Sequence, residues 1–283
     1  MSDLDAAMLD MGPRARAAAD ALRATTPETR TEALHRLATA LRAAEADILA
    51  ANARDVARAR DGGLSEALID RLALTPARIE GMAVAVETIA VQPDPVGAEM
   101  ARWTPANGLD IARVRTPIGV LAVIYESRPN VTADAAALCI RSGNAAILRC
   151  GSDCLDSSRA IAAVVARAVA EAGLPADAVQ LVPVPDREAV GVILSGLNGA
   201  VDLVIPRGGK SLVARVQAEA KAPVLGHLEG LCHTYLDAAA DLDVARRVTL
   251  NAKMRRVSVC GATETLLVDR AAAGRLLPAV AAD

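Results

Sequence analysis

Between residues 119 and 220 the chain alternates short runs of Val, Ile and Leu with segments of helical length, and few architectures accommodate that pattern. The runs are Gly119–Ile124, Ala145–Leu148, Val179–Val184 and Val201–Ile205, and the segments between and after them are 131–142, 156–172, 187–196 and 210–220. Strands buried on both faces read as near-continuous apolar runs, and parallel strands need helix-length crossovers. The alternation therefore predicts an α/β fold with a doubly wound parallel sheet covered on both faces. Such sheets bind ligands beyond the carboxyl ends of their strands, which directs attention to the loops after Ile124, Leu148, Val184 and Ile205.

The flanks read differently. From Thr26 to about Val91 a Thr-Pro-Glu start signal is followed by Leu34, Leu37, Leu41 and Ile48 at helical spacing, which predicts an N-terminal helical layer. Past Pro93 and Pro95, two short extended pieces flank Asn107-Gly108, a dipeptide that tolerates positive φ, so a β-hairpin is expected near 101–116. After Lys221 come extended pieces at Val224–Leu225 and Thr234–Leu236, a helix from about Leu242 to Lys253, a Cys-bearing turn and a strand at Thr265–Val268. The expected boundary separates 1–250 from 251–283. The second piece is shorter than the ~40 residues an unaided fold needs, so it reads as the start of a further domain.

Composition narrows the function classes. The 283 residues correspond to about two domains of ~150 residues, and 53% hydrophobic with 23% charged residues describes a globular chain. With 31 basic against 34 acidic residues the net charge is −3, and no Phe is present, which argues against a nucleic-acid partner. No apolar run approaches the ~20 residues of a membrane span. Asp3, Asp5 and Asp10 suit neither a secretory signal nor a transit peptide, leaving the cytoplasm as the expected location. Five Cys (139, 150, 154, 232 and 260) are too few for a disulfide framework, and without a C-x-x-C pair no metal site is expected.

Several residues could carry chemistry. The run Val204-Ile-Pro-Arg-Gly-Gly-Lys-Ser211 lacks the first glycine of a P-loop, and no GxGxxG fingerprint occurs. It does offer a strand, a glycine turn and a helix start, where bare N–H groups and the helix dipole can hold an anion; a plain tight turn is the alternative. Cys260 follows the cations Lys253, Arg255 and Arg256, which favour a thiolate, so it is read as either a nucleophile or a buried thiol. His227 and His233, with Glu229 between them, are candidate bases or structural hydrogen-bonders.

Five motifs taken together carry a resemblance: Tyr125-Glu-Ser-Arg-Pro-Asn-Val-Thr132, Ile147-Leu-Arg-Cys-Gly-Ser152, Ile205-Pro-Arg-Gly-Gly-Lys210, His227-Leu-Glu-Gly-Leu-Cys-His233 and Asn251-Ala-Lys-Met-Arg-Arg-Val-Ser-Val-Cys260. In order and spacing, from about Ala33 to Leu267, they resemble the γ-glutamyl phosphate reductases (glutamate-5-semialdehyde dehydrogenases), a biosynthetic branch of the aldehyde dehydrogenase superfamily. The resemblance implies an N-terminal helical layer, an NADP-binding domain and the start of a second, catalytic α/β domain. It implies NADPH-dependent reduction of L-glutamate 5-phosphate to the 5-semialdehyde and phosphate, a step of proline synthesis. Cys260 then becomes the nucleophile that forms a thioester, with the Asn130 amide and the Cys260 backbone N–H as oxyanion donors.

By the same resemblance Arg149, Gly151 and Ser152, together with Arg207, Gly208, Gly209, Lys210 and Ser211, form the NADP site, Arg149 near the adenosine ribose and its 2′-phosphate. Asn251, Lys253 and Arg256 would hold the anionic substrate, and Glu229 falls near the general-base position of hydrolytic relatives. The family continues well beyond the position of Asp283, so exposed apolar surface is expected near that end, with an inactive dinucleotide-binding module as the alternative function. A third reading is an acylating dehydrogenase for a CoA thioester. Homo-oligomerisation and a glutamate 5-kinase that passes on the labile acyl phosphate are the expected partners.

Overall fold

A computed structural model describes residues 3–257 and 259–283, with side chains from Ala6 onward. By internal contacts the chain divides into Met1–Gly226 and His227–Asp283.

The larger unit begins with five helices: α1 (Asp3–Arg23), α2 (Pro27–Ala43), α3 (Glu45–Asp61), α4 (Glu66–Leu72) and α5 (Pro76–Ala90). Local signals set the starts of two of them. Thr26 Oγ1 accepts from Thr29 N at 3.2 Å ahead of Pro27, and Thr75 Oγ1 accepts from Arg78 N at 3.2 Å ahead of Pro76. Leu34, Leu37, Leu41 and Ile48 are fully buried, as their spacing requires. α1 lies ahead of the helical layer expected from Thr26 onward. Gly12 within it allows a close approach, since a Cβ there would stand 2.9 Å from Ala200 Cβ and 3.1 Å from Leu197 O.

The strands β1 (Glu99–Trp103) and β2 (Ile111–Val114) pair antiparallel, with Trp103 opposite Ile111. The expected hairpin is present, but Asn107-Gly108 sits within a longer loop. Asn107 Oδ1 accepts from Leu109 N at 3.3 Å, and Gly108 takes φ +81°.

The sheet follows: β3 (Val120–Tyr125), α6 (Val131–Arg141), β4 (Ala145–Arg149), α7 (Leu155–Glu171), β5 (Val179–Leu181), α8 (Arg187–Leu194), β6 (Leu203–Arg207) and α9 (Lys210–Glu219). The strand order is β5-β4-β3-β6, all parallel. Every residue of β3 and β4 is buried. β5 is shorter than the apolar run it comes from because Pro183 and Pro185 end the pairing, although Val182 N still reaches Leu148 O at 2.8 Å. Right-handed crossovers put α6 and α7 on one face, and the reversal after β5 puts α8 on the other, where it meets α1. The chain thus changes direction between β3 and β6, and the crevice at their carboxyl ends is the place where a doubly wound sheet receives a ligand.

Two polar anchors tie the layers. Asn144 Oδ1 accepts from Gly119 N and Asp202 Oδ2 from Val120 N, both at 2.8 Å, fixing the start of β3. The fully buried Asp55 of α3 caps the first turn of α7, accepting from Ser157 N at 2.7 Å, Ser157 Oγ at 2.5 Å and Asp156 N at 3.2 Å.

The smaller unit holds β7 (His233–Leu236), α10 (Leu242–Met254), β8 (Thr265–Val268) and α11 (Ala273–Ala281). β7 and β8 are parallel and α10 is their crossover, so a boundary at 250/251 would cut this βαβ unit through its helix. That is the physical reason the division falls at Gly226 instead. Its buried cluster is small, Leu236, Ala245, Ala272 and Leu276, while Val248, Leu250, Met254, Leu267 and Leu277 are exposed. Among the described residues no helix is long and apolar enough to cross a membrane.

The Asp55 cap carries a stability prediction. Asp55→Ala removes the acceptor of the Ser157 and Asp156 N–H groups, leaves the Ser157 hydroxyl with Asn52 alone, and lowers the unfolding free energy by about 2–4 kcal/mol, read as a reduced urea midpoint with unchanged slope.

Candidate active site

In the larger unit, three loops at the carboxyl ends of β3, β4 and β6 carry the expected cofactor and oxyanion residues. The loop after β3 turns sharply, with Ser127 at φ +48°. Its last residue, Asn130, opens α6 and donates from Nδ2 to Asp134 Oδ2 at 2.9 Å. Burial pushes the Asp134 carboxyl up from its ordinary range, opposed by the Asn130 hydrogen bond and the charge of Arg207. Behind this loop Tyr125, fully buried, shares a 2.6 Å hydrogen bond with Thr132 Oγ1, and desolvation raises its phenol.

At the carboxyl end of β4 stands Arg149. Its guanidinium is buried and turned to the β5–α8 connection, with Nη2 donating to Pro185 O at 2.8 Å and Asp186 O at 3.3 Å. Nε is left without a hydrogen-bond partner. A Cβ at Gly151 would stand 2.2 Å from Asp153 Oδ1, so a larger residue there would displace the Asp153 carboxylate. Ser127 Oγ donates to Asp153 Oδ2, which joins this loop to the one after β3. Ser152 opens onto a cavity of about 510 Å³ lined also by Arg58, Asp156, Arg159 and Pro185.

The loop after β6 gives the arrangement the motif implied. Gly209 caps the ten-residue helix α9 in extended conformation, and Lys210 and Ser211 are exposed in its first turn. A residue that the sequence reading left without a role is also here. Glu126 N donates to Arg207 O at 3.3 Å, and Glu126 Oε2 accepts from Gly209 N at 3.3 Å. Glu126 lies inside the Tyr125–Thr132 motif, but only the adjacency of β3 and β6 reveals its position.

In the smaller unit Cys260 is exposed, which removes the buried-thiol alternative. Cys139, Cys150 and Cys154 are the buried thiols; burial alone raises Cys139 to about 12, and Cys154 is raised by its Cys150 partner and by burial. Cys260 sits in a tight turn after α10. Cys232 Sγ donates to Cys260 O at 3.1 Å, and a Cβ at Gly230 would fall 1.9 Å from that same oxygen, so only glycine fits. Asn251, Lys253 and Arg256 are exposed at the end of α10, where cations complement the helix dipole. His227, Glu229 and His233 are exposed, with His233 Nδ1 2.8 Å from Leu231 O. Among the described residues no cluster of three His, Cys, Asp or Glu side chains could hold a metal ion.

Comparison with known proteins gives this geometry a context. The aldehyde dehydrogenase family model matches residues 3–283. Similar curated proteins include a γ-glutamyl phosphate reductase of Caulobacter sp. (strain K31), 63% identical over 278 residues, covering 98% of this chain and 66% of the relative. Another is that of Caulobacter vibrioides, 64% identical over 274 residues, covering 97% and 66%. Among solved structures, the γ-glutamyl phosphate reductase of Thermotoga maritima matches with TM-score 0.88 at 41% identity, covering 97% of this chain and 66% of that one. The enzyme of Saccharomyces cerevisiae matches with TM-score 0.73 at 36% identity, covering 100% and 70%. The chain therefore spans about two thirds of the length of these relatives. An acetylating aldehyde dehydrogenase from Geobacillus thermoglucosidasius, 16% identical with TM-score 0.68, shares the fold. By the family model over residues 3–283 and by its similarity to these relatives, the chain belongs to the aldehyde dehydrogenase family, on its γ-glutamyl phosphate reductase branch.

Proposed function

We propose that the chain carries the NADPH-dependent reduction of L-glutamate 5-phosphate to L-glutamate 5-semialdehyde and phosphate. The observation that carries this reading is the exposed Cys260, the only cysteine of the five that is fully accessible, in a turn directly after the cation-bearing end of α10. A thiolate there attacks the acyl phosphate carbonyl; the C–S bond forms, the C–O bond to phosphate breaks, and phosphate leaves with the electron pair. Asn251, Lys253 and Arg256 are assigned to the anionic substrate, because ammonium and guanidinium donors pair with phosphate and carboxylate. Asn130 is assigned as an oxyanion donor, its second Nδ2 hydrogen serving that role while the first is held by Asp134.

The residues present suit a dinucleotide. The ten-residue α9 starts just after Gly209, where a Cβ would meet nothing within 4 Å. Gly208, Gly209, Lys210 and Ser211 would hold the pyrophosphate, with Arg207 beside them, and Gly151 and Ser152 would approach the adenosine end. When bound, NADPH supplies the hydride that takes a thioester to an aldehyde. Arg149 is assigned a supporting role, holding the Pro185–Asp186 backbone rather than reaching the 2′-phosphate directly. The role is a biosynthetic one in the cytoplasm, in a homo-oligomer, with a glutamate 5-kinase as the supplier of acyl phosphate. Glu229 keeps no assigned role.

A second reading has its own support. All the assigned cofactor residues lie in the larger unit, which has an extensive core, whereas the buried cluster of the smaller unit is four residues, so the chain could act as a dinucleotide-binding module alone. The two are separated by assaying the 283-residue chain with glutamate semialdehyde, phosphate and NADP⁺ while following the reduced cofactor. Phosphate-dependent turnover is expected under the first reading; binding of NADP⁺ without turnover selects the second. Replacing phosphate by coenzyme A should abolish turnover, and a preference for CoA would move the assignment to a CoA-acylating enzyme.

Cys260→Ala is expected to eliminate turnover while NADP⁺ binding, measured by titration, stays within about twofold. Asn130→Ala should lower kcat by about 10²–10³ with little change in cofactor affinity, as loss of one oxyanion donor does elsewhere.

A further inference from the structure

The positive end of α9 already faces a negative charge from within the protein. Glu126 is the first residue past β3, and the β3–β6 pairing fixes its backbone through its N–H to Arg207 O at 3.3 Å. From there its carboxylate reaches the glycine turn. Oε2 accepts from Gly209 N at 3.3 Å, and a Cβ on Gly208 would stand 2.6 Å from Oε2 and 3.2 Å from Cδ. Gly208 has no positive φ, so its backbone does not require glycine; the space is taken by the Glu126 carboxylate and by Leu212, whose Cδ2 would stand 2.7 Å from the same Cβ.

An N–H at a helix start and a dipole end can serve one anion at a time, and two anions brought to the same donors repel each other. We propose that Glu126 is a built-in occupant of the seat that the cofactor's pyrophosphate takes, so that its displacement sets dinucleotide affinity. The inference rests on the assignment of Gly208–Ser211 to the cofactor. Because Glu126 is exposed and hangs from a loop that bends at once into Ser127 at φ +48°, a side-chain rotation clears the seat without disturbing β3. The observed dissociation constant is then the intrinsic one divided by the fraction of molecules whose seat is open.

The test compares wild type with Glu126→Gln and Glu126→Asp in the full 283-residue chain, titrating NADP⁺ and, separately, inorganic pyrophosphate by calorimetry, with thermal melts confirming folding. Glu126→Gln keeps the size and removes the charge, and should tighten both ligands by roughly three- to tenfold. Glu126→Asp keeps the charge but withdraws it by one methylene, and should fall between wild type and Glu126→Gln. Unchanged or weaker binding of both probes in Glu126→Gln overturns the proposal. Weaker binding of NADP⁺ alone, with pyrophosphate unchanged, also overturns it and makes Glu126 a ligand of the sugar or nicotinamide. If wild type and variants bind neither probe, the assignment of the glycine turn itself fails, and the proposal with it.

Discussion

The double parallel pairing of β3 is the constraint from which the larger unit follows. β3 lies between β4 and β6, with Ile124 opposite Arg149 on one side and Tyr125 opposite Arg207 on the other. That register delivers three loops to one edge of the sheet at the same height. The strand can serve both partners because its start is fixed by side chains of the neighbouring segments, Asn144 and Asp202, which accept from Gly119 N and Val120 N. A one-residue slip would turn the apolar side chains of β3 out of their packing and separate Glu126 from the α9 turn, and burial on both faces is what makes such a slip costly.

The parallel sheet was legible in the sequence because strands buried on both faces leave an uninterrupted apolar signature, and the runs at 120–124 and 145–148 reappear as β3 and β4. The cap of α2 was equally local, a threonine followed by proline. What escaped depended on tertiary approach. α1 was not anticipated, and Gly12 within it serves the approach of Ala200 and Leu197, where a side chain would not fit. The Asn107-Gly108 signal located a hairpin but not its loop length, which is set by the register of Trp103 with Ile111.

The site was legible to a different degree. The glycine turn before α9 could be named from residue types and spacing, whereas Cys260 stood open between nucleophile and buried thiol until the fold showed it exposed. The burial of Arg149 could not, because its direction depends on the backbone of the β5–α8 connection, brought alongside only when the sheet forms. Glu126 stood in plain view inside a motif, yet its neighbour in space, Gly209, lies three crossovers further along the chain. Long-range partners of polar side chains are the part of a site that hydrophobic periodicity does not encode.

The turn that carries Cys260 is held by its main chain. Cys260 O is met by Cys232 Sγ and closely overlain by Gly230, Ala262 N donates to Val259 O at 3.1 Å, and Thr263 N donates to Ala252 O at 3.0 Å. None of these restraints involves the thiol of Cys260. The scaffold therefore fixes where the side chain at position 260 stands without fixing what that side chain is. The thiol can be exchanged without renegotiating the turn, while Gly230, which has no side chain to offer, is the residue with no room to change.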